Sequence, residues 1–271
     1  MTEAAPEVPM GASASTYRPV DARRLHESVV QQLTKQIVSG ALEPGATLPT
    51  EPELVQHFGV SRPVIREAVR VLVSKGLVVV KQGSGTRVQP PDEWCHLDPS
   101  ILFERVRTDR NERLLDELLD VRRAVEVEAA ALAAVRRTPD DLEALRAAIE
   151  GMRAVLGDPD AYTHLDIAFH ERIFLAAGNQ LLRQALRPIS QALNVGRFIS
   201  VRQPGAAEQS MRGHDEVFAA IEQADAEAAR AAMRRHITQF EADIRAGLRR
   251  RFVAGPSDLT LLAPEVATGL S

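Results

Sequence analysis

The segment from Glu53 to Arg70 constrains the fold of this 271-residue chain more than any other part of the sequence. A short helical pattern ends at Gly59, and a second helical pattern starts at Ser61 with Pro63 in its first turn. Serine is a preferred residue immediately before a helix, and proline is tolerated in the first helical turn. The segment therefore predicts two helices joined by a tight turn.

A glycine-containing turn between two extended runs follows the second helix. Residues 77–81 are apolar up to Lys81, residues 82–85 read Gln-Gly-Ser-Gly, and residues 86–88 resume the extended pattern. β-Branched residues on both sides of a glycine turn predict a β-hairpin. The order helix, turn, helix and hairpin predicts a winged helix-turn-helix, which places its second helix in the major groove of DNA.

The second helix of this motif carries three arginines spaced four residues apart, so that they share one helix face. An arginine fork fits the O6/N7 edge of guanine or a phosphate, and free amides in a first helical turn suit a phosphate. The alternative is a surface helix that merely bears arginines, but the order and spacing of turn, helix and glycine wing favour DNA. The candidate DNA contacts are Ser61, Arg62, Arg66, Arg70, Gln82 and Gly83.

The charge of the chain is unevenly distributed. The net charge is -4, yet residues 19–90 carry 9 Lys/Arg against 6 Asp/Glu, whereas residues 91–271 carry 23 against 29. A basic module on an acidic body is typical of a protein that contacts phosphate with one end only.

Helical periodicity dominates the rest of the chain. Residues 25–39 predict an amphipathic helix that ends at Gly40, and the pair Thr50 and Glu53 predicts a capping box. The buried face of the second motif helix is expected to comprise Ile65, Val69, Leu72 and Val73. From residue 97 to 250 nearly every segment has helical period, with breaks at 110–111, 138–139, 157–159, 178–179 and 203–205.

We therefore predict a mainly α protein. A winged helix-turn-helix of three helices and a small β-hairpin wing is followed by an all-α bundle of six or seven helices. The predicted segments are a disordered tail over 1–18, the DNA-binding domain over 19–89, a linker over 90–97, the helical domain over 98–250 and a loose tail over 251–271.

Several classes of protein are excluded by composition. Cys95 is the single cysteine, so neither an internal disulfide nor a cysteine-based zinc site is possible. No segment has the run of about 18 apolar residues that a membrane-spanning helix needs, and the start of the chain lacks the pattern of a secretory signal. We expect a cytoplasmic protein without membrane contacts.

One carboxylate and three imidazoles form a candidate metal set in the helical half. Asp166 and His170 are four residues apart and share a helix face, His214 is expected to begin another helix, and His236 lies in the last long helix. Such groups bind a divalent ion such as Zn²⁺, Ni²⁺ or Mn²⁺, although buried or surface histidines without a metal have the same spacing. The other histidines, His26, His57, His96 and His164, lie outside this set.

Arg122 has two interpretations. It is a candidate receptor for a small carboxylate at an open metal position, because a guanidinium matches a carboxylate in geometry and charge. Alternatively, Arg122 and Glu126 form a surface ion pair of small energetic value across one helix turn. Spacing alone leaves both open.

These segments together resemble the GntR family of bacterial transcription regulators, in its FadR-type subfamily with an all-helical C-terminal FCD domain. The resemblance covers residues 22–248 and rests on the segments 48–54, 59–62, 66–68 and 76–85, on Ala177-Gly178-Asn179, and on Arg122, Glu126, Asp166, His170, His214 and His236. It implies that the last four residues bind a metal. It further implies that a dimer binds a pseudo-palindromic operator, and that a small organic acid in the C-terminal pocket alters DNA affinity.

Two positions depart from the family pattern. Pro52 stands where the family commonly has an arginine, so the resemblance implies that one DNA contact is missing or supplied elsewhere. Pro63-Val64 replaces the usual Thr-Pro after Arg62, which implies an altered entry to the helix. Residues 94–99 are similar to a linker in members that respond to sugar acids such as galactonate.

The sequence therefore favours a dimeric, effector-responsive transcription factor, most simply a repressor. A direct metal sensor, in which the ion itself is the signal, is the first alternative. A metalloenzyme is the second, but the chain has no HExxH pair and no second carboxylate at an obvious spacing to act as general base, so that we do not expect an enzyme.

Overall fold

The computed structural model describes residues 22–108 and 113–254, so the predicted tail over 1–18 and most of the predicted tail over 251–271 lie outside the described residues. The described elements are α1 Ala22–Val38, α2 Glu51–Phe58, α3 Arg62–Ser74, β1 Val78–Lys81, β2 Gly85–Val88, a short 3₁₀ helix Pro91–Glu93, α4 Pro99–Thr108, α5 Arg113–Arg136, α6 Pro139–Ala154, α7 Pro159–Ala176, α8 Gln180–Ser200, α9 Ala206–Glu222 and α10 Ala226–Ala254. The predicted fold class is confirmed: three helices and a hairpin precede an all-α bundle, which has seven helices among the described residues.

The N-terminal helices begin and end at the residues that the local sequence specifies. Thr50 precedes α2, and its backbone N–H and hydroxyl each donate to the Glu53 carboxylate at 2.7 Å, which is the glutamate half of a capping box. Gly59 ends α2 in the left-handed conformation, with φ 64°, and its N–H donates to the Val55 carbonyl. The turn between α2 and α3 is therefore fixed by a cap on one side and a glycine on the other.

Helix α3 packs one face against α1 and turns the other to solvent. Ile65, Ala68 and Leu72 are buried, whereas Val73 is 41% exposed. The prediction that Val73 belongs to the buried face was wrong, because the stripe that faces α1 follows the spacing 65, 68 and 72. The solvent face of α3 is the one that carries the arginines.

The wing is a two-stranded antiparallel sheet with Val78 opposite Val88 and Lys81 opposite Gly85. The segment before α2 joins its edge, since the Leu48 N–H donates to the Thr86 carbonyl at 2.8 Å. This pairing ties the wing to the start of the helix-turn-helix and leaves only the tip of the hairpin projecting.

The predicted linker is packed against the DNA-binding domain. The Cys95 N–H donates to the Lys75 carbonyl at 2.9 Å, and the Trp94 indole N–H donates to the Gln89 carbonyl at 3.1 Å. Directly after the linker, Asp98 accepts from the Lys75 ammonium at 2.5 Å. Ile101 of α4 is buried in the hydrophobic core of the N-terminal domain, whereas its neighbour Leu102 is buried in the core of the helical domain. Helix α4 therefore contacts α1 on one side and α8 on the other.

The helical domain is built around α5 and α10, which pack along each other. Small residues allow its helices to approach closely: a Cβ at Gly196 of α8 would lie 2.3 Å from Ile244 of α10, and one at Gly247 of α10 would lie 2.4 Å from Ile199 of α8. The sequence analysis put His214 and His236 on separate helices but did not locate the break between α9 and α10 at residues 223–225. It also placed His214 at the start of a helix, whereas His214 lies in the middle of α9.

The glycine that follows α3 generates a prediction. Gly76 has φ 72°, and a Cβ there would lie 2.0 Å from the Glu93 carbonyl oxygen, whereas Gly40 has φ 78° and open space around it. The left-handed conformation costs about 1–2 kcal/mol for a residue with a Cβ. We expect Gly40→Ala to destabilise the protein by about this amount and Gly76→Ala by about 3 kcal/mol or more, because it also clashes with the linker. Thermal unfolding of both variants checks this; equal losses would contradict the packing of the linker.

Candidate metal centre and DNA-binding face

Three helices bring the four predicted metal ligands together. Asp166 and His170 lie on α7, His214 on α9 and His236 on α10, and all four are buried. One ligand atom from each lies within 4.8 Å of the others. The sequence prediction that these residues form a set agrees with this placement.

The imidazoles point the same atom, Nε2, at a common point. His170 Nε2 lies 3.2 Å from His236 Nε2 and 3.9 Å from Asp166 Oδ1, and His214 Nε2 lies 3.0 Å from the same carboxylate oxygen. Three ring nitrogens and one carboxylate oxygen that converge in a buried position are the donor set that a divalent ion such as Zn²⁺ prefers, so the residues present fit a metal.

The outward Nδ1 atoms contact groups that fix the orientation of the rings. His170 Nδ1 lies 2.8 Å from the Glu126 carboxylate, and His214 Nδ1 lies 3.3 Å from the Tyr162 hydroxyl. Metal-bound histidines usually donate their second N–H to such a partner, which sets the tautomer and frees Nε2 for the ion. Glu126 and Tyr162 are thus the groups that orient two of the three imidazoles.

The protonation states suit a metal ligand set at neutral pH. Burial lowers the pKa of His170 to about 4, against the opposing effect of Glu126, and burial with the neighbouring imidazoles holds the pKa of His236 well below its usual value. Burial alone would raise the pKa of Asp166, but the adjacent Arg197 charge keeps it well below the usual range. The two imidazoles are therefore neutral and the carboxylate is ionised.

Arg122 and Glu126 form a buried ion pair rather than a surface one. Both residues are 1% exposed, and the Arg122 Nε atom donates to the Glu126 carboxylate at 3.0 Å. The guanidinium also lies 4.5 Å from the centre of the Phe240 ring. The low value assigned to an exposed pair does not apply here, because removing one partner of a buried pair leaves an uncompensated charge. Its NH1 group has no partner among the described residues, and its role towards a carboxylate stays a prediction.

Arg197 is the residue that sequence reasoning missed. It is 5% exposed on α8, and its guanidinium donates to the Asp166 carboxylate. A signal was present in the sequence: the buried positions Leu186, Ile189 and Leu193 continue at intervals of three and four residues to Arg197. A single charge in an otherwise apolar stripe indicates a buried partner.

A narrow pocket opens next to the cluster. Its wall includes Asp166, Arg197, His236 and Phe240, and it continues between α8 and α10. Arg122 lies behind Phe240 and is not part of this wall. In the described arrangement Arg197 is therefore the arginine that a molecule in the pocket would meet first.

A glycine on α9 makes room for the last ligand. A Cβ at Gly213 would lie 2.7 Å from His236 Nδ1 and 3.3 Å from its Cβ. Since Gly213 directly precedes His214 in the chain, α9 supplies His214 as a ligand and also leaves space for the ring of His236.

The predicted DNA contacts all lie on the surface of the N-terminal domain. Arg62, Arg66 and Arg70 are exposed on α3, with Ser61 immediately before the helix, and the Ser61 side chain does not cap it. The Arg66 Nε atom donates to Glu51 at 3.0 Å, which aims the guanidinium across the start of α2. The arginines therefore present one exposed cationic face.

The wing tip is exposed as well. Gln82 and Gly83 are exposed, Gly83 has φ 77°, and a Cβ on it would meet no atom within 4 Å. Pro52, which replaces the family's arginine, is exposed in the first turn of α2 and supplies no charge there. Whether each of these residues touches DNA stays a prediction.

Comparison with known proteins identifies the family. Residues 25–88 match the model described as bacterial regulatory proteins, gntR family, and residues 117–239 match the FCD domain. The galactonate operon transcriptional repressor of Escherichia coli is 35% identical over 205 residues, which cover 75% of this chain and 89% of that protein. The chain belongs to the GntR family. It is a DNA-binding transcription regulator with an FCD domain.

Other relatives agree with this assignment. The Glc operon transcriptional activator of Escherichia coli is 31% identical and covers 79% of this chain and 87% of its own length. A solved structure of Lar, described as controlling the Listeria monocytogenes agr system, is 19% identical with a TM-score of 0.53 and covers 85% of this chain and 99% of that chain, so the two share a fold. Among the described helices, none combines the length and apolar character needed to cross a bilayer.

The close approach at Gly213 gives a prediction about stability. Gly151 lies inside α6 with Leu165 at an ordinary contact distance of 3.4 Å, so that Gly151→Ala should stabilise the helix by up to about 1 kcal/mol. Gly213→Ala should lose this gain and destabilise the protein by about 1–3 kcal/mol, because the new methyl group displaces the His236 ring. Thermal unfolding measures both, and a Gly213→Ala variant as stable as Gly151→Ala would refute the described position of His236.

Proposed function

We propose that this GntR-family protein is a homodimeric repressor whose affinity for a pseudo-palindromic operator is controlled by a small organic acid at a metal site. The metal ligands in this proposal are Asp166, His170, His214 and His236. The observation that carries it is the convergence of four buried ligand atoms inside a helical domain joined to an exposed cationic helix. Supporting it, the 35% identical relative is named a transcriptional repressor.

The charge of the site favours an anionic effector. Two buried guanidiniums, Arg122 and Arg197, face two buried carboxylates, Glu126 and Asp166, so the four charges cancel. A divalent ion would add two positive charges to this interior and polarise a bound oxygen ligand. A carboxylate would offset that charge. Galactonate and L-lactate, the acids that appear in the names of two relatives, belong to this chemical class.

The site offers a route from the pocket to the DNA-binding domain. Arg197 lies on α8, α8 contacts α4, and α4 shares a core with α1 through Ile101. An acid that binds Arg197 and the ion would favour one position of α8 over another, and in a dimer this would change the spacing of two recognition helices. Only an effector with different affinities for the two arrangements can act in this way.

The same geometry weakens the enzymatic alternative. Glu126 is the carboxylate nearest to the ligand set besides Asp166, but it is paired with Arg122, and the pKa of its carboxyl group is held well below the usual range by Arg122 against the effect of burial. A carboxylate of this kind is a poor general base. The structure therefore favours a regulatory over a catalytic role for the centre.

The contribution of Arg66 to specific DNA binding can be separated from its contribution to nonspecific binding. We expect Arg66→Ala to weaken specific operator binding by about 1–3 kcal/mol if its guanidinium forks onto guanine, with a smaller change in nonspecific binding. A gel shift on the DNA upstream of the chain's own gene, at fixed salt, measures this. Arg183→Ala, which lies on α8 in the helical domain, is the control. Absence of any specific shift by the unaltered protein would contradict the operator proposal.

Removal of one ligand should abolish metal retention. His214→Ala is expected to lower affinity for Zn²⁺ or Mn²⁺ by at least about 100-fold, since even groups that orient a ligand contribute 10- to 100-fold. His164→Ala is the matched control, because His164 is exposed and packs edge-to-face against Phe198 instead. Metal content after dialysis provides the measurement; equal retention by both variants would rule the site out.

The metal-sensor alternative predicts a different result in the same preparation. If the ion alone is the signal, the DNA affinity of the unaltered protein tracks metal occupancy without an acid. If the acid is the signal, the metal-loaded protein binds the operator, and the acid changes that affinity.

A further inference from the structure

One face of α10 runs along the whole pocket. His236, Gln239, Phe240 and Asp243 all line it, and their spacing of three, four and seven residues places them on one side of the helix. Seven residues correspond to about 10 Å along a helix axis. The lining of the pocket therefore runs from the metal ligand His236 to a second carboxylate at Asp243, and because the free volume is only about 20 Å³, side chains must move apart for a six-carbon acid to enter.

Asp166 and Asp243 are the two carboxylates of the pocket wall, and Asp166 is paired with Arg197. Among the described residues, no basic side chain lies within 4 Å of the Asp243 carboxylate, and its hydrogen-bond partner is neutral: the Gln239 amide donates to both oxygens at 3.0 and 3.1 Å. Partial burial raises the pKa of this carboxyl group despite the amide. An ionised carboxylate accepts about four hydrogen bonds, so that acceptor capacity is left over towards the pocket.

Neutral polar groups also line the pocket. Ser200 and Ser210 are part of its wall, and Gln239 is itself held by the Gln209 amide at 2.7 Å. The ring of Phe240 is already covered by the guanidinium of Arg122 at 4.5 Å. Along α10 the wall thus ends in the Gln239 amide and the Asp243 carboxylate, whereas Arg197 and His236 lie at the ligand cluster.

This polarity restricts which acids fit. A carboxylate at the Arg197 end would leave the rest of the molecule against Asp243. An alkyl tail there would strip water from the Asp243 carboxylate without replacing its hydrogen bonds, and burying an unpaired polar group is unfavourable. A tail with hydroxyl groups would donate to it instead.

We propose that Asp243 is a specificity-determining residue that accepts hydrogen bonds from the hydroxyl groups of a polyhydroxy acid and disfavours acids with an alkyl chain. The inference rests on the proposed function, because it assigns the class of effector to the same pocket. Gln239 fixes the Asp243 carboxylate from its other side, and acts as a positioning residue.

Matched six-carbon acids test the proposal. The full-length, Zn²⁺-loaded protein is titrated by calorimetry with gluconate, galactonate, hexanoate and 6-aminohexanoate. We expect at least one of the two polyhydroxy acids to bind about tenfold or more tightly than hexanoate, in line with hydrogen bonds to a charged group. In Asp243→Asn the preference should fall to within about threefold, with weaker binding of the polyhydroxy acid and tighter binding of hexanoate.

The control is Glu208→Gln, the same loss of one charge at an exposed residue of α9 that acts electrostatically on Tyr162 but does not line the pocket. It should keep the full preference, and both variants should keep the bound metal and the thermal stability of the unaltered protein. If acids bind but hexanoate equals the polyhydroxy acids, or Asp243→Asn keeps the preference, the role of Asp243 is wrong while the proposed function stands.

Two further outcomes also overturn the proposal. Tight binding of 6-aminohexanoate alone would show that Asp243 takes an ammonium group rather than hydroxyls. Binding of none of the four acids would overturn the specificity role, whereas the acid-controlled site on which it rests falls only if L-lactate also fails to bind.

Discussion

Mutual neutralisation of four buried charges is the condition on which the helical domain depends. Arg122 and Arg197 approach from α5 and α8, and Glu126 and Asp166 approach from α5 and α7, in an interior that also holds the three buried imidazoles. Each charge taken from water costs several kcal/mol, and loss of one partner of a buried pair typically costs 3–5 kcal/mol. Such a network brings little net stability, but it permits only those helix positions at which the charges meet. The same charges also fix two of the metal ligands, since Glu126 orients His170 and Arg197 holds Asp166.

Local chemistry made the N-terminal domain predictable from sequence. A cap at Thr50, a left-handed glycine at Gly59 and a glycine turn in the wing each act over a few residues, so their structural effect is visible in the chain itself. The error at Val73 arose because periodicity shows which positions of a helix are apolar, but not how much of the helix surface its neighbours cover. Similarly, the break at residues 223–225 lacks proline and depends on Ala224 adopting a positive φ of 60°.

The metal ligands were predictable only in part. The spacing of Asp166 and His170 shows that they share a helix face, but the approach of His214 and His236 depends on how three helices pack, and it was the resemblance that joined them into one set. Arg197 escaped notice for a related reason: a lone arginine has a function only when a carboxylate from another helix lies beside it. Gly213 is similar, since nothing in its own neighbourhood of sequence shows that His236 occupies the space of its missing side chain.

The packing of the linker makes the two domains mechanically dependent. A flexible linker would let the DNA-binding domain reorient without affecting the bundle, but here Lys75 at the end of α3 is bound to Asp98, and Ile101 of α4 is buried among residues of the N-terminal core. A displacement of α4 must therefore move α3 or break those contacts. Helix α4 also lies against α8, whose Arg197 contacts Asp166. The position of the recognition helix therefore depends on the same helix packing that sets the charges around the buried centre. Binding that alters the charge balance at Asp166 thus has a physical path to the DNA-binding face without any unfolding of either domain.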